Sequence, residues 1–365
     1  MNIFDLNIYD YILPGNLIAG QLAWPRDRSR LMMVNLQNRA VTTDRLFANI
    51  VDYLNDDYVI VRNNTKVFPA RLWLIKEGTG AMTEMLFLRE REDNGWEVMS
   101  KRAKKIRVGD AYNFRHKGRM YNWKVVGVGT EGIRILDVGM DRENFLRLLD
   151  EVGSMPLPPY VEKVDGVDYK TDYQTIFAKN IGSVAAPTAG FHFTNDIEER
   201  LKDKGVIVEE VTLHVGAGTF APVRTDDIRQ HQMHEEFLEV DKEVIDRLNK
   251  WKKSGKKILA VGTTTTRFLE SLAGEDGRLR SEDDRRSTDL FVYPGYKFRF
   301  VDEMITNFHL PKSTLLMLVS GFVFDKGDFE KEMEAVEFLK SVYMQAIKEK
   351  FRFYSFGDAM WIRTR

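Results

Sequence analysis

Five of the six histidines in this chain stand after residue 190, and three of them sit among small or hydroxylated residues. His192 lies near the end of Gly182-Ser183-Val184-Ala185-Ala186-Pro187-Thr188-Ala189-Gly190-Phe191-His192-Phe193-Thr194. His214 opens His214-Val215-Gly216-Ala217-Gly218-Thr219-Phe220-Ala221-Pro222, and His309 lies in Asn307-Phe308-His309-Leu310-Pro311-Lys312-Ser313-Thr314. An imidazole titrates near neutrality, so it can take or give a proton under physiological conditions. Glycine and alanine let backbone approach a flat or charged ligand, because a Cβ is absent or carries nothing further. Pro187 stiffens its run and ends any helix or central strand there. For His192 alone, a hydrogen-bonded core histidine in a tight turn has equal standing. Taken with the two later stretches, the pattern points to acid–base chemistry on a bound small molecule.

A further segment, Val261-Gly262-Thr263-Thr264-Thr265-Thr266-Arg267, joins an apolar run to a helical pattern. Hydroxyls and free amides at a helix N-terminus attract anions, and Arg267 adds a bidentate grip suited to a carboxylate. His231 and His234 form H-x-x-H before Glu235 and Glu236. No third ligand follows at a diagnostic spacing, so no metal is expected. Gly216 to Ala221 satisfies G-x-G-x-x-A in form, but Pro222 follows at once and no amphipathic helix opens, which excludes a dinucleotide fingerprint. Neither a phosphate-binding P-loop nor a G-x-S-x-G elbow is present.

The elements that must hold these residues read as α/β from Asp172 onward. Helical spacing covers 196–204, 241–253, 265–272 and 329–350; strand-like runs cover 206–215, 258–261 and Leu290-Phe291-Val292-Tyr293. Glu275 to Ser287 is charged and reads as a loop. Between Ala70 and Gly139 short β-rich runs alternate with turns, and Asp93-Asn94-Gly95 is a strong hairpin signal. That texture predicts a small all-β barrel. The expected organisation is an α/β (α+β, mixed-sheet) large domain, residues 1–69 and 151–365, with a small β-barrel domain inserted at 70–150. Lys101-Arg102-Ala103-Lys104-Lys105-Ile106-Arg107 carries five cations in seven residues. It suits either a charged strand edge that discourages aggregation or a contact with RNA phosphates.

Composition narrows the classes. The chain has 365 residues, is 43% hydrophobic, and carries a formal net charge of -1, so no global basic field announces nucleic acid. The absence of cysteine excludes disulfides, thiolate zinc sites and a cysteine nucleophile, and fits a reducing cytoplasm. Residues 1–20 lack the pattern of a signal peptide. The longest apolar run, Leu315 to Val319, is far too short to cross a bilayer, so no membrane partner is expected.

Across nearly its whole length the chain resembles the S-adenosylmethionine:tRNA ribosyltransferase-isomerase family of queuosine biosynthesis. The resemblance rests on Asp10-Tyr11-Ile12-Leu13-Pro14, on Asn64 to Arg71, on Pro156-Leu157-Pro158-Pro159-Tyr160 and Tyr173-Gln174-Thr175. It rests equally on the stretches 182–194, 212–223, 231–234, 260–267, 306–321 and 352–362. The chain departs from the family pattern in four places. Asn63-Asn64-Thr65-Lys66 stands where Asn-Asp-Thr-Arg is usual, Phe191 where leucine is usual, Arg102 where a proline is common, and Val323-Phe324 where a small pair is common. The change at Asn64 removes a carboxylate, so no catalytic acid is assigned there.

The resemblance implies S-adenosylmethionine as co-substrate, with no tightly bound cofactor, and tRNA carrying 7-aminomethyl-7-deazaguanine as acceptor. The ribosyl group is transferred and isomerised, adenine and methionine leave, and epoxyqueuosine is formed. Laid on these residues, it makes His192 or His214 the expected base and the other, or His309, the acid for adenine. Thr188, Gly190, Gly216, Gly218, Thr219 and Asn307 would line the cofactor site, with Thr263, Thr264 and Arg267 on the methionine carboxylate. Arg71, Lys101, Arg102, Lys104 and Lys105 would meet RNA phosphates. A monomer or weak homodimer is expected. Two competing readings are a base-exchange enzyme with another nucleoside donor and a non-catalytic tRNA-binding protein on the same scaffold.

Overall fold

The computed structural model describes residues 2–158, 160–161, 166–216, 223–280 and 285–364. In chain order the strands before the barrel are β1 (Leu31–Asn35), β2 (Val41–Asp44), β3 (Tyr58–Asn63) and β4 (Thr65–Val67). Barrel strands are β5 (Arg71–Lys76), β6 (Met82–Glu90), β7 (Gly95–Met99), β8 (Ala111–His116), β9 (Arg119–Val128) and β10 (Arg134–Asp137). After them come β11 (Asn180–Ser183), β12 (Ile207–His214), β13 (Glu236–Glu239), β14 (Lys257–Val261), β15 (Arg285–Thr288), β16 (Glu303–Asn307) and β17 (Ala359–Arg363). The helices are α1 (Arg142–Val152), α2 (Tyr169–Asp172), α3 (Asn195–Asp203), α4 (Lys242–Lys253), α5 (Thr263–Leu272), α6 (Thr314–Lys326) and α7 (Glu332–Lys348).

Nine strands form one mixed sheet in the order β15-β13-β12-β3-β14-β16-β17-β1-β2. Its centre, β12-β3-β14-β16, is parallel, whereas β17 runs antiparallel to β16 and parallel to β1. Central strands buried on both faces need apolar residues at successive positions. Val59, Ile60 and Val61 of β3 and Ile258, Leu259 and Ala260 of β14 meet that need. Alternation then sorts side chains by face. Val59, Val61, Ile258, Ala260, Met360 and Ile362 pack into one core beside residues of α4 to α7. Tyr58, Ile60, Leu259, Val261 and Trp361 pack into another beside α3 and the 3-10 segment Phe47–Tyr53. Helix starts are capped as their sequences suggest: Asp241 Oδ1 accepts from the Glu243 amide at 2.8 Å, and Ser313 Oγ from the Leu316 amide at 3.2 Å.

The six barrel strands close in the order β10-β7-β6-β5-β8-β9 around Trp96, Trp123 and Phe87. α1 contributes Phe145 and Leu149 to that core. Where the chain enters and leaves this region, Arg71 and Ser154 exchange backbone hydrogen bonds of 3.1 and 2.8 Å. The architecture is therefore the expected mixed sheet accompanied by a small β-barrel. Two local readings differ. Leu290-Phe291-Val292-Tyr293 is irregular rather than a strand; it packs apolar side chains on the core, with Phe291 and Tyr293 rings 5.2 Å apart, without joining a ladder. Conversely, the end of the charged loop 275–287 contributes to β15, an antiparallel edge strand on β13. Charge is common on such edges because it discourages further pairing, and it hides the strand signal.

Candidate active site

The parallel strands β12, β3, β14 and β16 all end on the same edge of the sheet, the place where open α/β folds bind ligands. A cavity of about 360 Å³ opens there, within the size range of small-molecule sites. Val215 follows β12, Gly262 follows β14, and Thr306 and Asn307 end β16; all four line the cavity. Ala185 to Ala189 supply another wall, and Phe308 to Ser313 a third. The stretches leading to His192, following Val261 and surrounding His309 thus meet at one place.

The α5 side of the wall is backbone-rich. Gly262 has φ 92°, a left-handed conformation costly for any residue with a Cβ, and it directs the chain from strand to helix. Thr265 and Thr266 turn their hydroxyls back onto the carbonyls of Val261 and Gly262 at 2.7 and 3.1 Å. Thr263 and Thr264 face the cavity instead. The helix begins there with no side-chain cap and no acidic residue in its first turn, leaving its positive end available to an anion.

On the opposite side Tyr160 and Tyr354 line the cavity with ring centroids 4.8 Å apart and planes at 59°. Tyr354 has φ 71° and Lys312, also on the wall, φ 56°. A bulky residue in this region persists only where its surroundings hold it. The Tyr354 amide donates to the Phe308 carbonyl at 3.0 Å, and the Lys312 amide to the Tyr9 carbonyl at 2.9 Å. The Lys312 ammonium is further tied to Asp10 and Asn7, each at 3.0 Å.

The three histidines occupy different environments. His309 is on the cavity wall, its Nε2 2.8 Å from Thr306 Oγ1. Its amide donates to the Tyr343 oxygen at 3.1 Å, and its carbonyl accepts from the Tyr11 hydroxyl. Burial lowers its pKa from 6.5 to about 3, so the ring is neutral at pH 7. His192 is one residue removed from the cavity. Thr188 Oγ1 donates to Asn307 Oδ1 at 2.8 Å, Asn307 Nδ2 lies 3.3 Å from His192 Nε2, and His192 Nδ1 lies 2.7 Å from Ser29 Oγ. With Nε2 accepting from the amide, the ring proton is assigned to Nδ1, donating to Ser29. Burial, then the cations of Arg352 and Arg26, lower the His192 pKa to about 3. His214 faces away from the cavity beside Gly182. Its Nδ1 lies 2.8 Å from Thr65 Oγ1 and its Nε2 3.1 Å from Glu239 Oε1.

Other expected site residues are placed as follows. Thr188, Thr263, Thr264 and Asn307 line the cavity. Gly190 does not; a Cβ there would come within 2.6 Å of the Phe177 ring, so tight packing accounts for this glycine. Arg267 is also off the wall. It is 3% exposed and paired at 3.1 Å with Glu236, equally buried, beside a separate void of about 10 Å³ that Gly216, His231 and His234 share. That void holds one water at most. Gly218 and Thr219 lie outside the described residues. Arg71 is engaged by Glu84 at 3.1 Å and by the Leu157 carbonyl at 3.2 Å. Lys101, Arg102, Lys104 and Lys105 are exposed on a turn between β7 and β8. Asn64 accepts from Thr212 Oγ1 at 2.7 Å and donates to the Glu210 carboxylate at 3.3 Å, which Arg62 and Lys179 also hold.

Sequence reasoning did not single out Tyr160, Tyr354, Ser29 or Thr306. Their only signals were an aromatic at the end of a proline-rich linker, an aromatic in the closing stretch, and hydroxyls within otherwise ordinary runs.

A model of the family described as queuosine biosynthesis protein matches residues 6–362. The chain is 44% identical over 363 residues to the S-adenosylmethionine:tRNA ribosyltransferase-isomerase of Macrococcus caseolyticus (strain JCSC5402), covering 98% of this chain and 99% of that protein. Its structure is similar to that of the S-adenosylmethionine tRNA ribosyltransferase of Thermotoga maritima, with 33% identity, a TM-score of 0.52, and coverage of 99% of this chain and 100% of that one.

Proposed function

This chain belongs to the queuosine biosynthesis protein family, and on that premise we propose that its cavity binds S-adenosylmethionine and acts on tRNA. It is a ribosyltransferase-isomerase: the ribosyl group passes from S-adenosylmethionine to the aminomethyl group of a 7-deazaguanine at the wobble position. Adenine and methionine leave. The observation that carries this reading is the meeting of residues 185–189, 262–264 and 306–313 at one cavity beyond the carboxyl ends of the parallel strands.

Charges assign the ends of the ligand. The methionine carboxylate belongs at the start of α5, where the Thr263 and Thr264 amides and the helix dipole favour an anion. Arg267 is not its partner, because Glu236 already holds that guanidinium. Tyr160, Tyr354 and Phe308 supply apolar and π faces for the adenine ring and the sulfonium. The sulfonium acidifies the neighbouring C5′ hydrogens, and His309, which lines the cavity where His192 and His214 do not, is taken as the imidazole that receives one. Its neutral state at pH 7 fits a base; charging it in this buried place needs an anion nearby, which the bound carboxylate provides. Thr306 orients the ring. His192 acts through Asn307 and Thr188 to fix the wall, while His214 and Glu239 form a separate pair at the end of β12.

The test is adenine release. Incubation with S-adenosylmethionine and tRNA carrying 7-aminomethyl-7-deazaguanine should release adenine, and omission of either should stop it. His309→Ala should abolish release while S-adenosylmethionine still binds. No adenine from the wild-type protein with both substrates present would refute the assignment.

A further inference from the structure

The barrel carries an apolar face that its own core does not use. Strand alternation sends Leu72 and Leu74 inward and Trp73 and Ile75 outward on β5. Trp73 is 51% exposed, Ile75 40%, and Met82 on β6, the register partner of Ile75, 59%. These three side chains share one side of a single hairpin. Exposed apolar groups are ordinary when scattered; a tryptophan clustered with two aliphatic side chains marks a contact surface.

What borders this face states the partner's chemistry. Lys76, at the end of β5 and on the Leu72 and Leu74 side of the strand, donates to the Lys105 carbonyl at 3.3 Å, which holds the basic turn 101–107 at the end of the barrel where the hairpin turns. Arg134 holds the backbone of that turn, donating to the Ile106 carbonyl at 2.8 Å and to the Ala103 carbonyl at 2.5 Å. The turn is therefore fixed while its cations project. Lys101, Arg102, Lys104 and Lys105 are exposed and, among the described residues, form no ion pair; Arg107, also exposed, faces Asp110, to which its amide donates at 2.8 Å. Neighbouring carboxylates are already engaged: Glu84 by Arg71 at 3.1 Å and Asp110 by Lys76 at 2.5 Å. Glu77, in the hairpin turn, is the exposed acid on this hairpin.

We infer that the β5–β6 hairpin and the 101–107 turn form one RNA-docking surface, on which an unpaired base stacks against Trp73 while the adjacent phosphates lie along the turn. Aromatic faces accept any base, and flanking cations supply sequence-independent attraction to the backbone. Ile75 and Met82 extend the platform. A second copy of this chain is the poorer occupant, because a two-fold contact through this face would set each basic turn near its own image. The inference rests on the reading that the substrate is a tRNA, and it moves the expected contact from Arg71, already engaged, to Trp73.

Stacking and ion pairing separate by their salt dependence. The measurement is the affinity of the full-length protein for a fluorescently labelled anticodon stem–loop RNA between 50 and 200 mM salt. Trp73→Ala should weaken binding about 10-fold at every salt concentration and leave the slope of log affinity against log salt unchanged. Trp73→Phe should stay within about threefold of wild type, which excludes loss through misfolding. Lys104→Ala with Lys105→Ala should instead flatten the slope, by about 0.7 for each phosphate no longer neutralised. S-adenosylmethionine affinity without RNA should not change in any variant. An affinity for Trp73→Ala within twofold of wild type would overturn the inference. So would sedimentation showing that this substitution only dissociates a dimer. Wild-type protein that binds the RNA on these terms yet releases no adenine would sink the enzymatic reading and leave this surface standing.

Discussion

Acid should loosen this protein through two rings that it keeps uncharged. Burial holds His309, and burial with Arg352 and Arg26 holds His192, at about 3 against 6.5 for a free imidazole. Between these values the unfolded chain carries a proton on each ring that the folded chain lacks. Stability therefore rises with pH across that window and falls on acidification. From pH 7.5 to 5.0 the unfolded rings become almost fully protonated while the folded ones stay neutral. Each then costs the fold about 1.5 units at 1.36 kcal/mol per unit, about 2 kcal/mol, and the pair about 4 kcal/mol. Urea unfolding followed by tryptophan fluorescence at the two pH values measures the sum. His309→Gln removes one titrating ring and leaves an amide able to bond Thr306. Its loss between pH 7.5 and 5.0 should be about 2 kcal/mol smaller than that of wild type. An equal loss in the two proteins would mean that folded His309 takes up a proton in this range, and the neutral wall assigned to the cavity would be wrong.

Glu236→Gln should destabilise the fold by about 3–5 kcal/mol, because it leaves the Arg267 guanidinium buried without its counter-ion. Calorimetric titration should find S-adenosylmethionine affinity within threefold of wild type, and a tenfold loss at unchanged stability would return Arg267 to the ligand. Gly262→Ala should cost about 1–3 kcal/mol through its positive-φ backbone alone, since the new Cβ would make only ordinary contacts, with the Ala189 methyl at 3.5 Å and Thr264 Oγ1 at 3.7 Å. A melting curve identical to wild type would contradict that conformation. Glu303 lies buried at the start of β16, paired with Lys257 at 2.8 Å and accepting from Trp361 Nε1 at 3.0 Å. Glu303→Ala should cost about 3–5 kcal/mol in denaturant unfolding, and a loss under about 1 kcal/mol would show the ion pair to be solvated.

Local chemistry made the cavity walls readable in the sequence. Glycine, proline and threonine after an apolar run signal a strand that stops short of a ligand, and 185–189, 262–264 and 306–313 do this. The barrel was readable for a related reason, because hairpin turns punctuate alternating strands. Partners brought from far along the chain were not readable. Arg267 looked free because Glu236, which captures it, belongs to β13. His192 gave no hint of Ser29, nor His214 of Thr65 and Glu239. Gly190 looked like a residue kept small for a ligand, whereas Phe177 takes that space. Tyr354 stands on the wall with a left-handed backbone, φ 71°, and a tyrosine carries no local preference for that state. The strand expected at 290–293 failed because four apolar residues describe burial equally well with or without a ladder.

The position of β17 bears on how the protein is made. β1 is the first strand to leave the ribosome, yet its parallel neighbour spans residues 359–363, and Leu31 finds Ala359 only after the intervening chain has been synthesised. Until that moment β16 and β1 present apolar edges with nothing between them, the kind of surface on which a nascent chain is captured or aggregates. Chains stalled on the ribosome before residue 359 should be digested readily by protease, and those extended far enough to free residue 363 should resist. A message cut short ahead of this strand yields a sheet split in two, not a smaller working enzyme.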